Sequence, residues 1–382
     1  MLIGKVQKTL IKYHLFFLAG IWCIVQIVAW LRFGIVLKGE SQKYILEAEY
    51  FWQHYKFSEP KYIFYSVYIT IQLIFNKTGL GFTGIYLFQL ALNLFSIYSF
   101  NKLCNQVFSN RIIAFASTLL LILCYPWQSW TTHLYTESVF LSLVMIFTYL
   151  FLKPSKSKTE QWWTWLLLLL VLLARPTGML IIPIAGAHYL ARFVQERKWL
   201  SFSVFGLGCI VALALLLNYA MRGEGEFDFM KPFIEEHIIC GVATNSNSHP
   251  ILPANGNSVQ GLLEYIVRNP NHFTELAFKK LRAFFGMTRE YYSGGHNMYL
   301  VLFFYPLYLL GIFGVFDKTR QRWLIIQYCL GMILIFSISV VLTCDDWLNR
   351  FIMPIVPFII LMAAMGIEKL GRLTFNKSER NS

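Results

Sequence analysis

The sequence predicts an all-α polytopic membrane protein, and three observations predict it. Apolar residues make up 57% of the 382 residues and charged residues only 14%, whereas a soluble surface holds roughly a quarter or more charged residues. The mean hydropathy is +0.53. Uncharged runs are long: residues 138–152, 161–174, 199–221, 323–344 and 351–367 contain no Asp, Glu, Lys or Arg. A bilayer core of ~30 Å takes about 20 apolar helical residues. The composition therefore excludes a cytosolic enzyme, a DNA-binding module and a secreted disulfide scaffold.

Ten crossings are expected, at 14–36, 82–100, 112–127, 137–152, 161–174, 176–191, 200–220, 299–316, 323–343 and 351–367. The segments on the amino-terminal side then hold 18 Lys and Arg against five acids, so the whole net charge of +13 lies on that face. The opposite face carries 15 basic and 15 acidic residues. Short basic loops stay cytoplasmic, so both termini are expected inside. The excess is a topology signal rather than a nucleic-acid surface, which needs a folded basic patch. One apolar run, 62–75, breaks this alternation if counted as a crossing and is expected to be a re-entrant or interfacial helix. The basic start before Tyr13 lacks a cleavage pattern, so the first span reads as an anchor.

Three parts follow in order: a transmembrane module (1–220) with a first outer segment at 32–61, an outer subdomain (221–298), and the final spans with a basic tail (299–382). Within the subdomain, 241–258 is rich in Asn, Ser, Gly and Pro and reads as a loop. From Asn269 the pattern changes. Pro270 opens a helix, Phe273, Leu276, Ala277, Leu281, Phe284 and Phe285 mark an apolar face, and Lys279, Lys280 and Arg282 mark a polar one, which predicts an amphipathic helix on the membrane surface. The seven cysteines include no CxxC pair. Only Cys240 and Cys344 fall on outer segments, where a disulfide could form; the others read as buried apolar residues.

Ionisable residues at span ends are functional candidates, and four clusters fall on the outer face. Arg350 stands beside Asp345 and Asp346 at the head of the last span, with Pro354 and Pro357 expected to kink the helix that follows. Arg175 and Pro176 lie between two short spans in ARPTG. His133, Tyr135 and Glu137 open a span in HLYTES. Glu40, Lys43, Tyr44, Glu47 and Glu49 follow the first span. Each has a plainer reading. The arginines could snorkel to the interface, Glu137 could complement a helix dipole, and His133 could be a structural hydrogen-bonder. Glu47 and Glu49 could be solvated, and both aspartates could merely pair with Arg350.

The order of these motifs resembles the GT-C superfamily of membrane glycosyltransferases, which includes protein O-mannosyltransferases and the aminoarabinose transferases of lipid A. The resemblance rests on Glu40, Lys43, Tyr44 and Ala48, the apolar segment after Pro60, TES at 136–138, ARPTG at 174–178, NPNHF at 269–273 and the run from Arg350 to Pro357, and it covers about residues 10–370. It implies an inverting transfer of a sugar from a polyprenyl-phosphate donor to a glycan, lipid or protein acceptor at the outer membrane surface. Such a transfer needs a carboxylate to deprotonate the acceptor and cations to hold the departing phosphate. The family's catalytic acid is usually an Asp in the first outer loop. This loop has no Asp, so Glu40 is the nearest match, with Glu47, Glu49 and Glu59 left open. Arg175, Arg350 and Lys43 are the donor-phosphate candidates. Tyr44, His133, Tyr135, Glu137, Asp345 and Asp346 are the pocket candidates. Some relatives use a divalent cation, for which no ligand cluster stands out.

Two other classes are weighed. A flippase or transporter places helix-breaking or charged residues at the midplane, often in repeated halves, whereas these spans have charge-free interiors and no repeat. A scaffold protein gives no reason for arginines at two span junctions. A polymerase or ligase acting on lipid-linked glycans is the nearest alternative.

Overall fold

The computed structural model describes residues 2–154, 156–208, 211, 230–243, 250–253, 258–317 and 322–380. The chain is helical. Among the described residues, extended pairing is confined to two isolated bridges, Val36 with His133 and Ile239 with Asp345. The chain divides into two compact units. One comprises Met1–Ile181, Leu309–Arg322 and Ile359–Ser382; the other comprises Ile182–Tyr308 and Trp323–Phe358.

The first unit opens with α1 (Leu2–Phe33), α2 (Glu40–His54), a 3-10 turn (Pro60–Tyr65) and α3 (Ser66–Lys77). It continues through α4 (Gly81–Val107), α5 (Arg111–Leu123), the single turn α6 (Tyr125–Gln128), α7 (Thr136–Leu152) and α8 (Lys158–Ala174). Local chemistry sets several of these ends. The Asn110 side chain accepts from Ile112 N at 2.9 Å to start α5. A capping box starts α8, in which Ser157 Oγ accepts from Glu160 N at 3.2 Å and Ser157 N donates to Glu160 Oε2 at 3.0 Å. Helix α7 packs against α4 and α8, and it is apolar and buried along nearly its whole length, as expected of a helix enclosed by protein.

The second unit holds α9 (Ile181–Gln195), α10 (Trp199–Gly208), α11 (Lys231–Ile234), α12 (Val259–Arg268) and α13 (Pro270–Gly286). It also holds most of α14 (Gly294–Val315) and all of α15 (Trp323–Leu342); the end of α14, and α16 (Val356–Arg380) from Ile359 onward, belong to the first unit. Met230, Phe233, Tyr265 and Leu276 form a small core joining α11, α12 and α13, and α13 lies against α15.

Among the described residues, six helical segments are long and apolar enough to cross a membrane: Tyr13–Phe33, Gly81–Val107, Pro176–Gln195, Gly294–Val315, Trp323–Leu342 and Met353–Arg372. A seventh is added if Arg111–Leu123 and Tyr125–Thr132 form one span. The all-α protein with membrane-length apolar helices predicted from the sequence is thus present. The runs at 137–152 and 161–174 form helices of 17 residues each, and most of the run at 200–220 lies outside the described residues.

Several expectations are corrected. The run 112–127 is not one helix, because Pro126 cannot donate to the ladder; the chain breaks at Cys124 and bends by 63°. Pro354 and Pro357 do not kink the last helix. They sit in the turn Met353–Ile355 and the first turn of α16, where a missing N–H costs nothing. Lys280 does not belong to a polar face: it follows Leu276 and precedes Phe284 at helical spacing, and all three are buried. Cys240 and Cys344 form a disulfide. Of the other cysteines, Cys104, Cys124 and Cys329 are buried, but Cys23 is exposed.

Candidate functional site

In the first unit the segment between α1 and α2 is fastened to the HLYTES motif. Val36 N donates to Thr132 O at 2.9 Å, and Leu134 N donates to Val36 O at 3.2 Å. Tyr135 Oη donates to Lys38 O at 2.8 Å, and Ser41 Oγ donates to Val36 O at 3.2 Å. Gly39 lies between these contacts at φ 70°, a conformation that favours glycine, and a Cβ there would stand 2.5 Å from Tyr135 Oη and displace that hydroxyl. Gln89 supports the partner segment, with its Nε2 donating to Thr131 O at 2.9 Å and His133 O at 3.1 Å. The His133 ring is set among Phe33, Trp130 and Tyr135 at centroid distances of 5.4, 5.2 and 5.7 Å. Burial pushes its imidazole below the usual pKa, which favours the neutral ring.

Fastening this segment fixes the start of α2. Glu40 is its first residue, where a carboxylate complements the helix dipole. Its Oε2 lies 3.5 Å from Lys43 Nζ and accepts from Tyr44 Oη at 3.3 Å. Tyr44 is buried, with Tyr65 and Tyr68 each at 5.4 Å between centroids. Burial raises its phenol pKa well above the ordinary value, the charges of Glu137 and Glu40 raise it further, and Arg175 opposes them. Tyr44 is therefore a neutral donor within electrostatic reach of Glu137 and Arg175.

Those two residues form a buried ion pair. Arg175 Nη1 lies 2.7 Å from Glu137 Oε1, with only 9% and 1% of the respective side chains exposed. Glu137 stands in the first turn of α7, and Arg175 is the extended residue that ends α8. The following turn is locked: Gly178 N donates to Arg175 O at 2.8 Å, and a Cβ at Gly178 would meet Val171 O at 2.2 Å. Because α8 packs on α3 and on the turn Pro60–Tyr65, and α2 packs on α3, ARPTG is delivered to the same neighbourhood as α2. Arg175 is thus enclosed and paired, not snorkelling at an interface.

The other acids of the first outer segment have different fates. Glu47 is buried, not solvated; it accepts from Ser58 N at 2.8 Å and from Ser58 Oγ. Glu49 pairs at 3.0 Å with Lys77, which lowers its pKa, and Glu59 pairs with Lys61 at 3.1 Å. Glu40 and Glu137 are the carboxylates tied to Tyr44.

In the second unit, Asp345 and Asp346 do not share Arg350. Arg350 Nε lies 2.8 Å from Asp346 Oδ2, whereas Asp345 Oδ2 lies 2.5 Å from Nη2 of buried Arg289. Burial raises the Asp345 pKa to about 6 against the pull of Arg289. The segment is anchored from several sides. Asp345 N donates to Ile238 O and Cys240 N to Asp345 O, both at 2.8 Å, beside the Cys240–Cys344 bond. Asn349 Nδ2 donates to Met287 O at 2.6 Å. Arg289 is absent from the sequence reading because a lone arginine between an apolar helix and two tyrosines carries no distinctive pattern. The sequence reading sets Lys280 on the polar face with Lys279 and Arg282, although its spacing from Leu276 and Phe284 is the signal that puts it on the buried seam.

The structure brings Glu40, Lys43, Tyr44, His133, Tyr135, Glu137 and Arg175 into one neighbourhood of the first unit, and places Asp345, Asp346 and Arg350 in a separate cluster of the second. Among the described residues, no three His, Cys, Asp or Glu converge to hold a metal ion, and the carboxylates of the first cluster are held by cations. This donor set does not fit a resident divalent ion. No family model, curated protein or solved structure matches the chain.

Proposed function

We propose that the protein is an integral-membrane inverting glycosyltransferase of GT-C-like architecture. It moves a sugar from a polyprenyl-phosphate donor to a glycan, lipid or protein acceptor on the outer face of the inner membrane, with ten spans and both termini in the cytoplasm. The observation that carries this reading is the convergence of separated motifs. A helix-opening carboxylate (Glu40), a buried phenol (Tyr44), and a carboxylate–guanidinium pair (Glu137 with Arg175) lie within electrostatic reach of one another. Inverting transfer from a phosphate ester needs a carboxylate base and a cation for the departing phosphate, and this set contains both.

In this mechanism the Glu40 carboxylate takes the proton of the acceptor hydroxyl as the acceptor oxygen bonds to the anomeric carbon. The bond from that carbon to the donor phosphate oxygen breaks with inversion, and the polyprenyl phosphate departs with the electron pair. Lys43 and Tyr44 keep Glu40 ionised and oriented. A guanidinium has five N–H donors, so Arg175 can hold Glu137 and still stabilise charge on the leaving phosphate.

Glu40→Gln keeps the shape of the side chain and removes the base. Turnover of a polyprenyl-phosphate sugar is expected to fall by 10²-fold or more, in the range of a lost general base, while binding of polyprenyl phosphate stays within about twofold. Full turnover in Glu40→Gln removes Glu40 from the mechanism.

A further inference from the structure

The cations picked out for a phosphate are all neutralised by carboxylates: Arg175 by Glu137 at 2.7 Å, Arg350 by Asp346 at 2.8 Å and Lys43 by Glu40 at 3.5 Å. In the first outer segment, Arg32, Lys38 and Lys56 have no carboxylate partner among the described residues. Lys56 lies beyond the far end of the 15-residue α2, ~22 Å along the helix axis. Arg32 and Lys38 flank the fastened stretch at Val36.

Arg32 is exposed but held in place. Its guanidinium lies 5.4 Å from the Phe33 ring centroid and 5.6 Å from that of Tyr125. Phe33 and Tyr125 stack at 6.2 Å. A guanidinium clamped on aromatic faces gives up less freedom when it binds a phosphate bidentately. Lys38, also exposed, has its carbonyl tied to Tyr135. Phe33, His133 and Tyr135 run between the two cations, each ring against the next at 5.4 and 5.7 Å.

Directly below Arg32, α1 presents Ile24, Val28 and Leu31 to the outside at 62%, 49% and 78% exposure. Their spacing places them on one face, and Arg32, four residues after Val28, continues it. An apolar stripe ending in an unneutralised, preorganised guanidinium complements a molecule with a hydrocarbon tail and a phosphate head.

We infer that Arg32 and Lys38 seat the phosphate of the polyprenyl-phosphate donor, with the isoprenoid lying along the Ile24–Val28–Leu31 face of α1. The assignment rests on the transferase reading for the identity of the lipid. It also divides the labour. Arg32 and Lys38 capture the incoming donor, and paired Arg175 acts when charge develops on the leaving group.

The test is lipid retention by the purified protein in native mass spectrometry, with a polyprenyl monophosphate and phosphatidylglycerol as separate probes. Wild type is expected to keep the polyprenyl monophosphate at least tenfold more strongly than phosphatidylglycerol. Arg32→Gln/Lys38→Gln is expected to lose that retention tenfold or more with its melting temperature unchanged. The charge-preserving Arg32→Lys/Lys38→Arg pair retains most of it. Undiminished retention in the Gln pair overturns the seat while leaving the transferase reading intact. Equal retention of both lipids, lost together in the Gln pair, overturns it in favour of a general headgroup contact. Absence of polyprenyl monophosphate from wild type defeats the transferase reading and the seat with it.

Discussion

At the scale of single residues, side chains that look alike in the sequence have opposite environments. Glu47 and Glu49 both follow the first span, yet one is sealed against Ser58 and the other lies exposed beside Lys77. Two positions along a helix place them on different faces. TES and ARPTG were legible as motifs, because acids and arginines are rare in such a chain. Their union was not, since it depends on α7 and α8 packing side by side. Arg175 cannot be left alone where it stands. Breaking a buried pair from one side costs about 3–5 kcal/mol, so Glu137→Gln is expected to lower the unfolding temperature markedly in detergent. Glu137→Gln/Arg175→Met is expected to recover much of that loss. A single variant as stable as wild type would show that the pair contributes nothing to the fold.

At the scale of helices, the long apolar elements were legible from composition alone, whereas the use of each face was not. Helix α13 carries the clearest case. Lys280 Nζ donates to Thr343 O at 2.6 Å and Val341 O at 3.2 Å, satisfying carbonyls at the end of α15 that have no partner within that helix. Phe233 lies beneath it at 4.6 Å. Burial lowers its pKa from 10.5 to about 7. Between those values the unfolded chain holds a proton that the folded protein has released, so stability rises with pH across that window and this contribution is flat below it. Lys280→Met is expected to remove the rise between pH 7 and 10.5, read from melting temperature against pH. Parallel curves for variant and wild type would assign the slope to another group. The break at Cys124 was also readable in principle, but Pro126 is hidden inside a continuous apolar run.

At the scale of the whole molecule, the all-helical membrane class followed from composition, while the division into two units did not. The end of α14 and nearly all of α16 join the first unit across long stretches of sequence, which no local pattern announces. Charges near those ends, counted in the sequence as loop charges, form a network around buried Asp317 and Arg322. Arg322 lies 2.9 Å from Asp317 and 2.5 Å from Glu368, and Arg372 lies 2.9 Å from Asp317. Within the second unit, Cys240 and Cys344 close a separation of 104 residues. In the chain-entropy view, a loop near that length restrains the unfolded state by about 4–5 kcal/mol. Reduction, or Cys240→Ser/Cys344→Ser, is expected to lower the unfolding temperature, and the substituted protein should no longer respond to reductant. A wild-type melting curve indifferent to reductant would mean that the bond restrains little of the unfolded chain.

The same bond imposes a rule of parity. Two bonded sulfurs occupy one side of a bilayer, so the chain between them must cross it an even number of times. The membrane-length helices Gly294–Val315 and Trp323–Leu342 lie within this interval, and as a pair of crossings they satisfy the rule with one excursion out and one return. If these two helices are the crossings in this interval, the chain carrying α12 and α13 lies on the side of the sulfurs, together with the Arg289–Asp345 and Arg350–Asp346 pairs. Any map of the membrane that adds a lone crossing between these cysteines must also cut the covalent link.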